Sequence, residues 1–131
     1  MIAMVKFNGI KMKFVLNRHS AYSSFYQVFV ENSYPNLLRL LKHGDTVIDA
    51  GANSGVFTVM ASYLVGESGR IIAVEPDPED LGTLKKNIEI NSLKNVEVVE
   101  KALFSESNHV LDLIYNGTMS HVVTEDTDHE N

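Results

Sequence analysis

Charge disappears from the middle of this chain: between Asp49 and Glu67 every residue from Ala50 to Gly66 is uncharged. Val56, Phe57, Val59, Met60, Tyr63 and Leu64 within it cover more than one helical face, which predicts a largely buried helix. Just before it, Thr46-Val47-Ile48 is too short and too uniformly apolar for a half-exposed strand. Such a run suits a strand covered on both faces in a parallel sheet. A buried strand that runs through Gly51-Ala52-Asn53-Ser54-Gly55 into a buried helix needs neighbours on all sides, and this restricts the chain to an α/β architecture.

The following residues supply those neighbours. After the turn-forming Gly66-Glu67-Ser68-Gly69, Arg70 to Val74 reads as a second strand. Asp77 can cap a helix that starts on Pro78, with Asp80 in its first turn and Leu81, Leu84 and Ile88 as its inward stripe. Asn91-Ser92-Leu93-Lys94-Asn95 ends that helix, and Val96 to Val99 makes a third strand. Strand, helix, strand, helix and strand with short links predict a right-handed βαβαβ unit, part of a Rossmann-like, doubly wound, mainly parallel sheet. Ahead of it, Val5, Phe7, Ile10, Met12, Phe14 and Leu16 alternate around Asn8-Gly9, a dipeptide suited to a tight hairpin turn. Leu37, Leu38, Leu40 and Leu41 predict a short helix begun near Pro35 and stopped by Gly44, where His43 would favour the helix dipole. Val110 to Tyr115 and Met119 to Val123 could form a second hairpin around Asn116-Gly117. The expected divisions are a β-hairpin and lead-in over 1–32, a partial Rossmann-like domain over 33–124, and an acidic tail over 125–131.

Composition narrows the partners. The 131 residues, 44% hydrophobic and 21% charged, suit one domain and rule out two. The net charge of -6 is concentrated at the end, where Glu125, Asp126, Asp128 and Glu130 lie close together. The rest holds thirteen acids against eleven bases. This near balance offers no counterion-release case, so the expectation is that nucleic acid is not a partner. The basic lean of the first 42 residues is read as the solvent side of the hairpin, where Lys6, Lys11 and Lys13 alternate with apolar residues. With no cysteine, disulfides, thiolate metal sites and cysteine nucleophiles are excluded. No window approaches the roughly 20 apolar residues of a membrane span, so a cytoplasmic protein with no membrane partner is expected. The five histidines lack ligand spacing, and no metal is expected.

The chemistry is expected where the first strand meets the buried helix, since open α/β sheets bind ligands at the carboxyl ends of their strands. Gly51 allows a tight turn, and Gly55 lets the backbone approach a ligand near the positive helix end. Asp49 could accept a hydrogen bond from a ligand ammonium. Glu75, closing Ile71-Ile72-Ala73-Val74, could accept two hydrogen bonds from the vicinal hydroxyls of a ribose. Each has a plainer rival, because Asp49 could cap the following helix and Glu75 could cap beside Pro76. A dinucleotide site would prefer Gly-x-Gly-x-x-Gly, but Asn53 occupies the second glycine's place, which fits a nucleoside without a pyrophosphate better.

The stretch Asp45-Thr-Val-Ile-Asp-Ala-Gly-Ala-Asn-Ser-Gly-Val-Phe-Thr58 resembles the first motif of class I S-adenosylmethionine-dependent methyltransferases. Together with Glu75-Pro76-Asp77-Pro78, the Asn87-to-Asn91 stretch and Phe29-Val30-Glu31 before Tyr34, it resembles the FkbM-type branch. The resemblance implies S-adenosylmethionine as cofactor, with Asp49, Gly51, Asn53 and Gly55 around its methionine portion and Glu75 on its ribose. It further implies that Ala102, in Lys101-Ala102-Leu103-Phe104, contacts adenine through backbone atoms. The implied reaction is methyl transfer to an acceptor oxygen of a small molecule or glycan. No catalytic residue is assigned, and His19 and Tyr34 are the only candidates for a general base. Such proteins resemble one another in a seven-stranded sheet, of which only the first three strands and no Asp-x-Glu-Gly segment are found here. The chain is therefore expected to be the cofactor-binding N-terminal portion, its open sheet edge pairing with a second polypeptide or another copy. A non-catalytic nucleoside-binding or assembly module is the alternative.

Overall fold

A computed structural model describes residues 1–105, 112–115 and 120–123. Strands β1 (Ile2–Phe7) and β2 (Ile10–Val15) form an antiparallel hairpin with Phe7 opposite Ile10. Asn8 and Gly9 take φ of 48° and 80°, the positive pair that a two-residue turn of this hand requires. The register places Ala3, Val5 and Phe7 across from Phe14, Met12 and Ile10 on one face, and Met12 and Phe14 are buried there. Lys6, Lys11 and Lys13 point the other way into solvent, as alternation demands.

Helix α1 (His19–Phe29) was not foreseen; the lead-in holds eleven helical residues. Its serines and aromatic residues are mediocre helix formers, so tertiary packing decides the matter. Ala21 and Val28 are buried, and the Phe25 and Phe29 rings lie 5.6 and 5.3 Å from that of Phe14. The spacing of Ala21, Phe25, Val28 and Phe29 is the helical period that could have revealed it. Helix α2 (Leu37–Leu40) is a single turn that stops before Gly44, because Leu41 is already extended at ψ 130°. His43, expected beside the helix-ending Gly44 to favour the dipole, lies beyond the C-cap Leu41 with its ring beside Gly66.

The central unit follows the expected order: β3 (Thr46–Ala50), α3 (Val56–Val65), β4 (Arg70–Val74), α4 (Pro78–Ile90) and β5 (Val96–Val99). The strands are parallel in the order β3-β4-β5. Val47, Ile71 and Val96 pack with Ala61 and Val65 of α3, while Ala73, Val96 and Val98 pack with Leu81 and Leu84 of α4. Both helices therefore cover the same sheet face. On their far side the hairpin and α1 close a second core, in which Met12, Phe14, Val28, Val56, Val59 and Met60 meet. This double covering is why α3 carries no charge. Among the described residues β3 stands at one end of the strand order and Ile48, on the face away from the helices, is 65% exposed, so these residues do not supply the covering on both faces expected for Thr46-Val47-Ile48.

Polar side chains of α4 hold the edge of the hairpin. Asn91 accepts the Lys13 N–H at 2.9 Å and donates to the Lys13 carbonyl at 2.7 Å, while Asn87 accepts the Val15 N–H at 2.6 Å. Thr83, one turn earlier, donates to Asn17 Oδ1 at 2.9 Å. This helical ladder satisfies a strand edge that would otherwise be open to pairing. Strands β6 (Asp112–Tyr115) and β7 (Ser120–Val123) form a separate antiparallel pair as expected, and the Asn116-Gly117 turn and acidic tail lie outside the described residues. Among the described residues no helix is long and apolar enough to cross a membrane.

Candidate cofactor-binding site

The loop from β3 to α3 turns twice through left-handed backbone, at Gly51 (φ 74°) and Gly55 (φ 82°), with Asn53 between them at φ 49°. The two glycines serve different ends. A Cβ on Gly51 would meet nothing within 4 Å, so its bare backbone borders open space. A Cβ on Gly55 would stand 2.4 Å from Leu84 Cδ1. Gly55 thus admits a core leucine of α4, a packing role beside the ligand approach expected of it.

Four N–H groups of the loop are engaged internally. Those of Gly51 and Ala52 donate to the Val74 carbonyl at 2.9 and 3.0 Å, and that of Gly55 donates to Ala52 at 2.9 Å. The fourth, on Asn53, donates to Glu75 Oε2 at 2.8 Å. A phosphate cradle needs such donors free, so this loop is poorly suited to a pyrophosphate, in keeping with the Asn53 substitution in the glycine pattern.

Asp49 does not cap α3, whose N-cap is Gly55. Its Oδ2 instead accepts the Thr58 hydroxyl at 2.5 Å. Burial raises the Asp49 carboxyl above its usual range, and the Thr58 bond only partly offsets this. Glu75, also buried, accepts the Asp77 N–H on Oε1 at 2.8 Å and the Asn53 N–H on Oε2. One lone pair remains on each oxygen. Burial is the main cause that pushes Glu75 upward; the two N–H bonds oppose it, and the nearby Asp80 and Asp77 add to it. Asp77 caps α4 by accepting the Glu79 and Asp80 N–H groups, as its place before Pro78 predicts.

A cavity of about 250 Å³ opens at the carboxyl end of β3. Asp49, Gly51 and Asn53 form one wall, and Ser24, Gln27 and Val28 of α1 form another. Tyr34 also borders it, its ring 5.1 Å from that of Phe57. Of the two base candidates, Tyr34 reaches this cavity and His19, exposed at the start of α1, does not line it. Gly55 and Glu75 stand behind the loop as its supports, and Ala102 is half-buried in the irregular segment past β5. The α1 wall was missed because the lead-in was not read as a helix. Among the described residues no three His, Asp or Glu side chains are grouped to hold a metal.

Comparison with known proteins adds the family. A family model described as Protein-L-isoaspartate(D-aspartate) O-methyltransferase (PCMT) matches residues 13–102. A protein of Sulfolobus acidocaldarius named as a cobalt-precorrin-6B C(15)-methyltransferase (decarboxylating) is 36% identical over 80 residues, 59% of this chain and 42% of that protein. A ribosomal protein L11 methyltransferase of Thermotoga neapolitana is 30% identical over 86 residues, 66% of this chain and 31% of that one. Among solved structures, a Clostridium thermocellum protein assigned as an rRNA methylase superposes with a TM-score of 0.53 at 26% identity, covering 56% of this chain and 40% of its own. The chain spans less than half the length of these relatives. The rRNA assignment and the ribosomal-protein methyltransferase overturn the expectation that nucleic acid is excluded. Net charge describes a surface that tracks many phosphates, and it says nothing of an acceptor gripped at one site. With its residues 13–102 matched by the PCMT model around this strand, loop and helix, the chain belongs to the PCMT family of class I S-adenosylmethionine-dependent methyltransferases.

Proposed function

We propose that this chain is the cofactor-binding N-terminal portion of an S-adenosylmethionine-dependent methyltransferase. The observation that carries this reading is the cavity at the end of β3, bordered by a buried carboxylate and by a loop whose N–H groups are largely engaged. Such a surface suits a cationic, ammonium-bearing ligand rather than a phosphate. Asp49 receives the ammonium of the amino-acid end, Gly51 and Asn53 line that end, and Gly55 holds the loop's shape. Glu75 offers its two remaining lone pairs to the ribose hydroxyls, and Ala102 borders the adenine through its backbone. At about 250 Å³ the cavity is smaller than the roughly 300 Å³ at which ligand pockets begin, so it takes the amino-acid end and leaves the nucleoside to the open side.

When bound, the cofactor supplies an activated methyl group and a neutral leaving group, so the protein's task is alignment. At finer grain, we read the Asp45-to-Thr58 and Glu75-to-Pro78 segments as FkbM-type and the acceptor atom as oxygen. The O-methyltransferase description of the family supports the oxygen assignment.

Titration calorimetry of the full chain with S-adenosylhomocysteine tests the reading. Saturable binding supports it, and no heat at millimolar ligand with an intact circular dichroism spectrum sinks it. Methyl transfer by the isolated chain would separate an enzyme from a binding module, and mass spectrometry of the product would identify the methylated atom.

A further inference from the structure

The outer face of the N-terminal hairpin is basic. Residues 1–30 hold Lys6, Lys11, Lys13 and Arg18 but no Asp or Glu, in a chain whose net charge is -6. Arg18 turns to the acidic corner at Asp77, Glu79 and Asp80. The three lysines are exposed, and among the described residues no ion pair engages them, whereas Arg70 pairs with Glu97 and Lys85 with Glu100.

The register fixes how these lysines lie. Lys6 stands directly opposite Lys11 beside the Asn8-Gly9 turn, and Lys13 stands opposite Met4. Like charges on opposed residues, with Cβ atoms about 5 Å apart, weaken a hairpin. No carboxylate of either strand relieves the repulsion, so stability does not explain the arrangement. Lys11 and Lys13 are two residues apart on β2, which separates them by about 7 Å along the strand. Asn91 grips the Lys13 backbone, and the hairpin's inner face packs through Phe14 on Phe25 and Phe29, so the lysines project from a fixed platform.

We infer that this face docks the phosphate backbone of an RNA helix. Lysine suits a phosphate as a point charge, whereas the carboxylates of an acidic protein segment are matched better by the planar fork of arginine, which this face lacks. A membrane surface favours outward aromatic anchors beside the charge, but Phe7 and Phe14 turn inward and leave Ile2 and Met4 as the exposed apolar side chains. A two-stranded ribbon reads B-form DNA by entering its major groove, and this hairpin, packed on one face, is not free to enter. The wide, shallow minor groove of an RNA helix needs no entry, only a flat face that meets the phosphates beside it. Net charge conceals the patch because the carboxylates lie elsewhere in the chain. The inference goes beyond the cofactor reading and does not rest on it.

Fluorescence anisotropy of a labelled RNA duplex of about 16 base pairs, titrated with the full chain, tests this. Affinity should fall about 15- to 40-fold between about 50 and 200 mM salt, the response expected when three phosphate contacts release their counterions. Lys11→Gln/Lys13→Gln should bind about 10-fold more weakly at the lower salt and reduce the log-log salt slope by about 2. Arg39→Gln/Lys42→Gln, which removes the same charge from exposed positions outside the hairpin, should leave both within about twofold. Because Lys11→Gln also removes an opposed like charge, the unfolding midpoint of the lysine variant should equal or exceed that of the wild type, which sets lost binding apart from a lost fold. No RNA binding at the lower salt, equal losses in the two double variants, or a DNA duplex of the same sequence bound as tightly as the RNA would overturn the inference. Tighter binding of phosphatidylserine vesicles or of polyglutamate than of RNA would do the same. The titration contains no cofactor, so its outcome is separate from that of the cofactor reading.

Discussion

Glu75 holds Asn53 in place: the buried carboxylate accepts the Asn53 backbone N–H at 2.8 Å across the gap between two loops, while its other oxygen accepts that of Asp77. One side chain thus fixes both corners of the site. Glu75→Ala leaves two N–H groups without their acceptor and should lower unfolding stability by about 2–4 kcal/mol. It should also weaken S-adenosylhomocysteine by about 1–3 kcal/mol through lost charge-assisted bonds. Glu75→Gln retains one acceptor oxygen and should fall between. A wild-type denaturant midpoint in the alanine variant would dismiss the support role, and unchanged affinity would remove Glu75 from the ligand.

The two loop glycines should respond differently to the same methyl group. Gly55→Ala strains a left-handed residue and drives a Cβ into Leu84, so a stability loss of about 2–4 kcal/mol is expected. Gly51→Ala meets only the backbone strain, about 1 kcal/mol, because nothing stands within 4 Å. Its Cβ would instead occupy space at the cavity, so Gly51→Ala should cost more affinity than stability. Melting curves and ligand titration on the pair decide this. Equal stability losses would mean that Leu84 moves aside freely.

Acid should act on stability and on binding in opposite senses. Burial raises Asp49 above its ordinary 3.8 and Glu75 above 4.5, so the native state holds these protons more tightly than the unfolded chain. Their contribution is complete below the unfolded values and is lost as pH rises through the raised native ones. Asp49→Asn, which can still accept the Thr58 hydroxyl, should therefore gain stability relative to wild type as pH rises from the ordinary carboxylate range through the raised native value. Wild-type affinity for an ammonium ligand should fall over the same window as pH drops, and the variant should bind weakly throughout. A stability difference independent of pH would show that Asp49 does not titrate differently on folding.

Much of this arrangement is legible in the chain. The βαβαβ order, the hairpin turn at Asn8-Gly9 and the Asp77-Pro78 helix start were read from local chemistry that the tertiary structure leaves intact. What escaped depended on distant partners. Helix α1 has serines and aromatics that favour no structure until Phe14 packs against Phe25 and Phe29. The packing role of Gly55 shows only once Leu84, twenty-nine residues later, is seen to occupy its vacant side. Ile48 reads as covered on both faces, yet the described residues leave it 65% exposed, because hydropathy records a strand's composition and not which neighbours it has.

Arg18 provides the last prediction, since it joins the N-terminal layer to the acidic corner. Its side chain, 13% exposed, lies 3.9 Å from Asp77, 3.7 Å from Asp80 and 2.7 Å from Glu79. The first two acids are buried and the third is 73% exposed, so the shortest pair is not the one that matters most. Solvent screens Glu79, and Glu79→Ala should cost at most about 1 kcal/mol. Arg18→Ala leaves two buried carboxylates without their cation and should cost about 3 kcal/mol or more. Arg18→Lys should recover only part, since a single ammonium cannot reach three acids at the angles a guanidinium does. Because α1 starts at the next residue, Arg18→Ala should also weaken S-adenosylhomocysteine where Glu79→Ala does not. Equal unfolding midpoints for the two alanine variants would assign the clamp to the exposed pair and detach Arg18 from the site.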